Sequence, residues 1–160
     1  MPPALFIDGL MNHLKRPYYV ALLNAAAYYG AAQQQPQFFF VVTNFPVLRP
    51  IEKKGLKIEW ISRETLPDSL LEKRKTETGY FVISSAEQTA ADLVHYEKRI
   101  GGLSRAASVI SELAESMKIE KINAAFVQFN QVATLQRLGF ILEVILGQNE
   151  LANQLFDVCK

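Results

Sequence analysis

Basic side chains form the two clearest clusters of chemically active residues in this sequence. One cluster surrounds the segment "IEKKGLK", and the other lies within "LEKRKTETG". Clustered lysines and arginines can bind phosphate groups or acidic protein surfaces, and such contacts do not recognise a base sequence. Acidic residues are interleaved with both clusters, which is also typical of a solvated, charge-paired loop surface. The candidate interaction surface consists of Arg49, Lys53, Lys54, Lys57, Lys73, Arg74 and Lys75.

Two carboxylates support a second, enzymatic interpretation. Asp92 is the one acid inside the apolar helical segment "TAADLVHY", where it would serve either as a general acid or base or as a structural hydrogen-bonding group. Glu59 beside Lys57 would suit a diverged metal-dependent nuclease, although strand alternation also explains both residues as a solvent-facing row. For both acids the structural interpretation is the favoured one.

Other catalytic and ligand signatures do not occur in the sequence. His13 and His95 have no second histidine or cysteine at metal-ligand spacing. The chain has no G-x-S-x-G elbow, no G-x-x-x-x-G-K-[ST], no G-x-G-x-x-G and no EF-hand loop. Ser84 and Ser85 are better explained as helix caps. The sequence therefore predicts a protein that is not an enzyme, with no catalytic residue, metal site or cofactor.

Length and composition indicate a globular protein. The chain has 160 residues, of which 49% are hydrophobic and 21% are charged. These values predict one domain over residues 1–160, large enough to bury a proper core. The formal net charge of +1 provides no global field that would attract nucleic acid. Any nucleic-acid binding would therefore depend on the local basic clusters.

Cysteine usage and the terminal segment bear on the cellular compartment. The single cysteine, Cys159, permits no intramolecular disulfide. The N-terminus lacks the basic-then-apolar order of a signal peptide, since Asp8 interrupts its short apolar part. No apolar run reaches the ~20 residues needed to cross a bilayer. We expect a cytoplasmic protein without a membrane partner.

Helical periodicity predicts an N-terminal extension with a first helix and then a second helix. Phe6, Leu10 and Leu14 recur at helical spacing, and Pro17 ends this extension, residues 1–17. The second helix is expected from Tyr18 to Ala32, where alanines and aromatic residues alternate in steps of three and four. The following glutamines and Pro36 predict a polar turn that leads into the next element.

Three segments have the composition of strands. Phe38–Thr43 is a solid aromatic and β-branched run, typical of a buried strand. Leu56–Ile61 alternates apolar and charged residues and follows "EKKG", which predicts a turn. The third segment, Tyr80–Ile83, follows a glycine. The polar segment 62–79 contains a proline and predicts a loop with at most one helical turn.

The second half of the chain has helical patterns. A helix is predicted from Ala86 to Lys98 because Ser84 and Ser85 each precede an acid or amide by three residues. Apolar stripes predict further helices around 103–117, 122–129 and 132–145, and a terminal helix within 148–160. The order of elements predicts an α+β fold with N-terminal helices, a small β-sheet of about three strands and a C-terminal helical bundle.

Ordered blocks of the sequence resemble one known family. The blocks are "YYVALLNAAAYYGAAQQQPQFFFVVTN", "RPI" with "LKIEWIS", "TGYFVISSAEQTAADLV", "GGLSRAASVISELAE" and "LQRLGFILE". In this order they resemble the C-terminal domain of the AbiEi antitoxins, which belong to bacterial type IV, abortive-infection toxin-antitoxin systems. On this basis residues 18–147 are identified as an AbiEi-like antitoxin domain, followed by the C-terminal helix.

The resemblance implies a function that the residues alone do not supply. Members of the family usually pair with a nucleotidyltransferase toxin, and their C-terminal domain is the part that opposes toxicity. The resemblance implies a functional partner and does not by itself imply direct contact with it. It carries over no catalytic residue, because the matching blocks are mainly structural motifs.

Full-length members of the family also carry an N-terminal winged helix-turn-helix that binds their own promoter. Only about seventeen residues precede Tyr18 here, too few for such a module, so we expect promoter binding through that element to be missing. The alternative functions are a nucleic-acid-binding transcriptional regulator that uses the basic clusters and, third, the diverged nuclease.

Overall fold

The computed structural model describes residues 3–31, 38–53 and 55–160. Within these ranges the helices are α1 (Ile7–Leu14), α2 (Leu22–Tyr28), α3 (Ala86–His95), α4 (Leu103–Leu113), α5 (Ala124–Phe129), α6 (Val132–Phe140) and α7 (Asn149–Cys159). The strands are β1 (Tyr18–Val20), β2 (Phe38–Thr43), β3 (Ile51–Lys53), β4 (Leu56–Ser62), β5 (Leu71–Lys75) and β6 (Tyr80–Ser84). The fold is therefore α+β, as the sequence predicts.

The described strands form one mixed sheet in the order β3-β4-β2-β1-β6-β5. Strand β2 runs parallel to β4 and antiparallel to β1, while β1 runs parallel to β6. Five of the six β2 residues are buried, which confirms the predicted buried strand. Its aromatic and β-branched side chains suit a strand that is covered on both faces of the sheet.

The prediction of about three strands is wrong, since the described residues contain six. Tyr18–Val20, predicted as the start of a helix, pairs with β2, because two tyrosines and a valine favour a strand and the alanine-rich helix begins only at Leu22. Segment Leu71–Lys75, predicted as a loop, is an edge strand whose charged residues mask its strand character. The predicted turn "EKKG" overlaps β3, and the predicted glutamine turn lies outside the described residues.

Two layers of apolar side chains enclose the sheet. Helix α1 covers one face, where Ile7 and Met11 pack with residues of the sheet such as Trp60 and Ile83. The remaining helices cover the other face and form the larger core with Tyr19, Phe40 and Ile61 among others. Neighbouring residues of a strand point to opposite faces, so each inner strand contributes to both cores.

Helix α3 is the central helix of the second layer. Nine of its ten residues are buried, and it packs against α2, α4 and α6. Its N-cap is Ser85, whose side chain accepts a hydrogen bond from the Gln88 backbone N–H at 3.1 Å, which confirms the predicted cap. The helix ends at His95 rather than at the predicted Lys98, and a 3-10 turn at Glu97–Arg99 follows it.

The predicted C-terminal helical bundle is confirmed in α4 to α7. A π-helical segment, Ile141–Ile145, continues α6 and leads to a glycine at φ +66°, Gly147, before α7 begins. Helix α7 packs against α5 and α6, with Leu151 and Leu155 in the core. Among the helices that the structure describes, none is both long and apolar enough to span a bilayer.

Candidate functional site

Asp92 lies at the centre of a buried polar network on the side of the sheet that the helices cover. Its side chain is fully buried in α3. The Tyr19 hydroxyl donates to Oδ2 at 2.8 Å, while Arg63 Nη2 and Gln88 Nε2 each donate to Oδ1 at 2.9 Å. Three donors from β1, α3 and the segment after β4 therefore converge on one carboxylate.

Arg63 reaches this carboxylate because it continues the alternation of β4. Its backbone N–H donates to the Thr43 carbonyl at 2.9 Å, which extends the β4–β2 pairing beyond Ser62. Ile61 belongs to the core beneath the helices, and a residue two positions further along an extended chain points to the same face. The Arg63 guanidinium is thereby directed at α3 and at Asp92.

Aromatic side chains complete the surroundings of Arg63. Its Nε donates to the Tyr96 hydroxyl at 2.9 Å. The guanidinium carbon also lies 5.2 Å from the centroid of the Tyr96 ring and 4.8 Å from that of Phe129, distances at which a cation is attracted to the ring face. An ion pair, a hydrogen bond and two aromatic rings therefore fix one side chain.

The network continues from α3 to the end of α5. Gln88 Nε2 donates to Asn130 Oδ1 at 3.0 Å, and Asn130 Nδ2 returns a bond to Gln88 Oε1 at 2.7 Å. The same Nδ2 donates to the Phe126 carbonyl at 2.9 Å. These side chains satisfy one another inside the protein, which buried polar groups require, and they tie four parts of the fold together.

Burial and charge act in opposite directions on the central groups. Burial raises the pKa of the Asp92 carboxyl, and Arg63, Tyr19 and Gln88 oppose part of that rise. Burial also raises the pKa of Tyr19 well above its ordinary value. For Arg63, burial lowers the pKa, but Asp92 and the neighbouring tyrosines outweigh it and the pKa is raised. The Arg63 guanidinium therefore keeps its charge.

A groove of about 240 Å³ opens beside this network. His95 contributes a ring whose Nδ1 lies 3.1 Å from Thr134 Oγ1, and burial lowers the pKa of that histidine. The groove thus places the cationic Arg63 next to Glu64 and to neutral polar and aromatic groups. Its lining residues are Arg63, Glu64, Thr65, His95, Tyr96, Phe129, Asn130 and Gln131.

The predicted basic clusters lie at opposite edges of the sheet. Strands β3 and β4 occupy one edge and β5 the other, so the structure does not bring the cluster around "IEKKGLK" together with Lys73, Arg74 and Lys75. Lys54 lies outside the described residues, and Arg49 is exposed. The clusters form two separate surfaces, and their role in binding stays a prediction.

Neighbouring side chains engage several of these basic residues. Lys57 Nζ lies 3.4 Å from Glu59 Oε1 and 5.9 Å from the centroid of the Phe38 ring. In β5, Lys73 lies over the Tyr80 ring at 5.5 Å and Arg74 over the Tyr29 ring at 4.8 Å. Intramolecular contacts therefore occupy part of the binding capacity of both clusters.

The two candidate acids occupy different environments. Glu59 pairs with Lys57 at a partly exposed position, whereas Asp92 is buried and paired with Arg63. In the described ranges, no three His, Cys, Asp or Glu side chains lie together in a way that could hold a metal ion. The contacts of Asp92 are those of the structural hydrogen-bonding group that the sequence favours.

Sequence reasoning missed most partners of Asp92. The contact between Gln88 and Asp92 could be predicted from the sequence, because residues four apart share one face of a helix. Arg63 fell within a predicted loop and Tyr19 within a predicted helix, so neither was connected with α3. Asn130 carries no local signal, since only the packing of α5 against the rest of the bundle places it beside Gln88.

Comparisons with known proteins find similarity to solved structures and to one family model. A crystal structure of an antigenic nucleotidyltransferase-like protein from Paracoccidioides brasiliensis shares the fold, with a TM-score of 0.57 and 11% sequence identity. The match covers 96% of this chain and 90% of that one. No curated protein matches the chain. The family model of the AbiEi antitoxin C-terminal domain matches residues 19–144, and the chain therefore belongs to the AbiEi antitoxin family.

Proposed function

We propose that this chain is the antitoxin of a bacterial type IV, abortive-infection toxin-antitoxin system and counteracts a nucleotidyltransferase toxin. The observation that carries the proposal is the family match over residues 19–144, which spans the sheet and the helices α2 to α6. The matched region includes the whole Asp92 network, from Tyr19 to Asn130. The domain that opposes toxicity in this family is thus present with its core.

In this proposal the chain acts without catalysis. Asp92 is the acid best placed for chemistry by its position in the sequence, but its hydrogen bonds to Tyr19, Arg63 and Gln88 engage both of its oxygens. A general base must also lie within hydrogen-bond reach of a substrate proton, and the Asp92 side chain is fully buried. The shared fold with the nucleotidyltransferase-like protein supports the architecture only, because 11% identity carries no activity.

The proposal places the protein in the cytoplasm, where its toxin is made. Its candidate contact surfaces are the two basic clusters, which now count as separate sites. The β5 surface with Lys73, Arg74 and Lys75 is the more defined of the two, since all three residues lie on one edge strand. Lys73 and Lys75 point to one side of this strand and Arg74 to the other. An acidic partner surface is the chemistry that it fits.

Growth rescue tests the proposal. A cognate nucleotidyltransferase toxin is expressed from an inducible promoter, with or without this chain under a second promoter. The expected result is that co-expression restores growth. Growth arrest in the presence of soluble, folded chain would remove the antitoxin function and leave the family relationship as one of fold.

Two variants refine this experiment. Replacing Lys73, Arg74 and Lys75 together by alanine tests the β5 surface, and the matched control is Lys98→Ala with Arg99→Ala, two exposed basic residues after α3. If β5 contacts the toxin or another acidic partner, the first variant loses rescue while the control keeps it. Co-purification of chain and toxin then separates direct contact from an indirect effect.

A further inference from the structure

The guanidinium of Arg63 has two edges that can donate paired hydrogen bonds, and the described residues supply acceptors for one of them. The side-on edge consists of Nε and Nη2, which donate to the Tyr96 hydroxyl and to Asp92 Oδ1. The end-on edge consists of Nη1 and the second N–H of Nη2. Among the described residues, no acceptor bonds to Nη1. More than half of the N–H donors of this side chain therefore have no acceptor among the described residues.

The unused edge is accessible from the groove. In the described part of the chain, the buried polar side-chain atoms without a partner are Asn44 Oδ1, Ser62 Oγ and Glu87 Oε1. Nη1 is not one of them, the Arg63 side chain is 14% exposed, and it lines the groove of about 240 Å³. That volume admits a group of a few heavy atoms beside the Phe129 and Tyr96 rings.

Charges of both signs surround the groove, and the Arg63 guanidinium is a cationic group that lines it. Asp92 balances Arg63 from the buried side, with a relative side-chain exposure of 0% against 14% for Arg63. Arg137 lies near His95 and lowers the pKa of that histidine, so it adds a second positive charge on this side of the protein. Glu64 is exposed and is the one acid among the described residues that line the groove.

We propose that the groove is a binding site for an oxyanion, a carboxylate or phosphate group, held by the end-on edge of Arg63. A guanidinium edge matches the spacing of two oxygens in either group and donates two parallel hydrogen bonds. Asp92, Tyr96 and Phe129 hold the guanidinium in place, which lowers the entropic cost of binding. Gln131 and Thr65 are the neutral polar groups at hand for the remaining oxygens.

NMR titration of the whole chain tests this site, and it requires no toxin. Sodium acetate and inorganic phosphate are the probes, with sodium chloride at matched ionic strength as the reference. We expect saturable shifts of the Arg63 Nε–H signal and of the Gln131 amide. Acetate alone, phosphate alone or both would each support an oxyanion site and would say which group it takes. Shifts identical to those in chloride would overturn it.

Three variants locate the binding. Arg63→Lys removes the fork and is expected to weaken binding by about tenfold, whereas Arg105→Lys, at an exposed position of α4 away from the groove, is expected to leave it unchanged. Glu64→Gln removes the opposing charge without touching the buried network and is expected to strengthen binding about two- to fivefold. If Arg63→Lys does not fold, the affinity of Glu64→Gln still tests the site. Unchanged affinity in Glu64→Gln, or in folded Arg63→Lys, would contradict the site.

Discussion

Two ion pairs near the two ends of β4 show how position within the fold decides what a pair contributes to stability. Lys57 and Glu59 lie in β4, and Arg63 follows it on the same side of the strand. The Lys57–Glu59 pair spans 3.4 Å with relative side-chain exposures of 41% and 24%, whereas the Arg63–Asp92 pair spans 2.9 Å with 14% and 0%. The helices cover the strand at one end and leave it partly exposed at the other.

This difference shows that residue type alone does not identify which charged residue matters for the stability of the fold. An exposed pair is screened by water and salt and contributes little. A buried pair costs desolvation, but removal of one partner leaves an uncompensated charge in the interior. Arg63 and Asp92 are therefore more important for the stability of the fold than the more conspicuous basic clusters.

The largest expected effect comes from breaking the buried pair. Asp92→Ala would leave the partly buried Arg63 guanidinium without its counter-charge and Tyr19 and Gln88 without this acceptor. We expect a loss of about 3–5 kcal/mol in the free energy of unfolding, measured by urea denaturation. A loss below about 1 kcal/mol would mean that the pair behaves like an exposed one.

A smaller effect is expected from the hydroxyl that supports the pair. Tyr19→Phe removes the donor to Asp92 Oδ2 and keeps the ring in the core. Because this hydrogen bond has a charged acceptor, we expect a loss of about 2 kcal/mol in the free energy of unfolding. Tyr80→Phe is the matched control, since the Tyr80 side chain is 57% exposed. Equal losses in the two variants would contradict the role of the hydroxyl.

Glu87 offers a third case, a buried carboxylate without an ion pair among the described residues. Its Oε2 accepts a hydrogen bond from the Lys118 N–H at 2.7 Å, while its Oε1 has no partner there. Burial raises the pKa of Glu87 above its ordinary value of 4.5. Between the pKa of Glu87 in the unfolded chain and its higher pKa in the folded protein, the folded protein holds a proton that the unfolded chain has released. Stability therefore falls as pH rises through this window.

Glu87→Gln tests this pH dependence, because glutamine keeps an acceptor for Lys118 and does not titrate. The variant is expected to match the wild type near pH 4 and to exceed its free energy of unfolding by about 1 kcal/mol at pH 7. Urea denaturation across this pH range gives the comparison. A variant that is less stable than the wild type at pH 7 would show that the charged form of Glu87 is favourable.

The smallest effect is expected from the exposed pair. Glu59→Gln removes the charge that faces Lys57, and we expect a change below about 0.5 kcal/mol that diminishes further at high salt. Thermal unfolding at two salt concentrations measures it. A loss comparable to that of Asp92→Ala would remove the contrast between the two ends of β4.

Local sequence patterns predicted the elements whose signals are local. The aromatic run of β2, the Ser85 cap and the stripes of α4 and α6 each express the environment of one segment. β5 was missed because the charges that protect an edge strand from further pairing also conceal its alternation. β1 was missed because its three residues precede an alanine-rich helix and share its apolar character.

The candidate site was less predictable, because it depends on contacts between distant segments. The hydrogen bond from Tyr19 to Asp92 spans 73 positions in the chain, and the one from Asn130 to Gln88 spans 42. No local period reports such separations. The basic residues form conspicuous clusters in the sequence, but only the strand order shows that the sheet separates those that the structure describes.

The most direct test of the account is growth rescue by Asp92→Asn, compared with Glu59→Gln as control and normalised to the folded amount of each protein. Asparagine keeps the shape of the side chain and removes its acid-base function. If the chain is an antitoxin with a structural carboxylate, rescue per folded molecule stays at the wild-type level for both variants. A folded Asp92→Asn protein that rescues no growth, while Glu59→Gln still does, would contradict this account and assign Asp92 a chemical role.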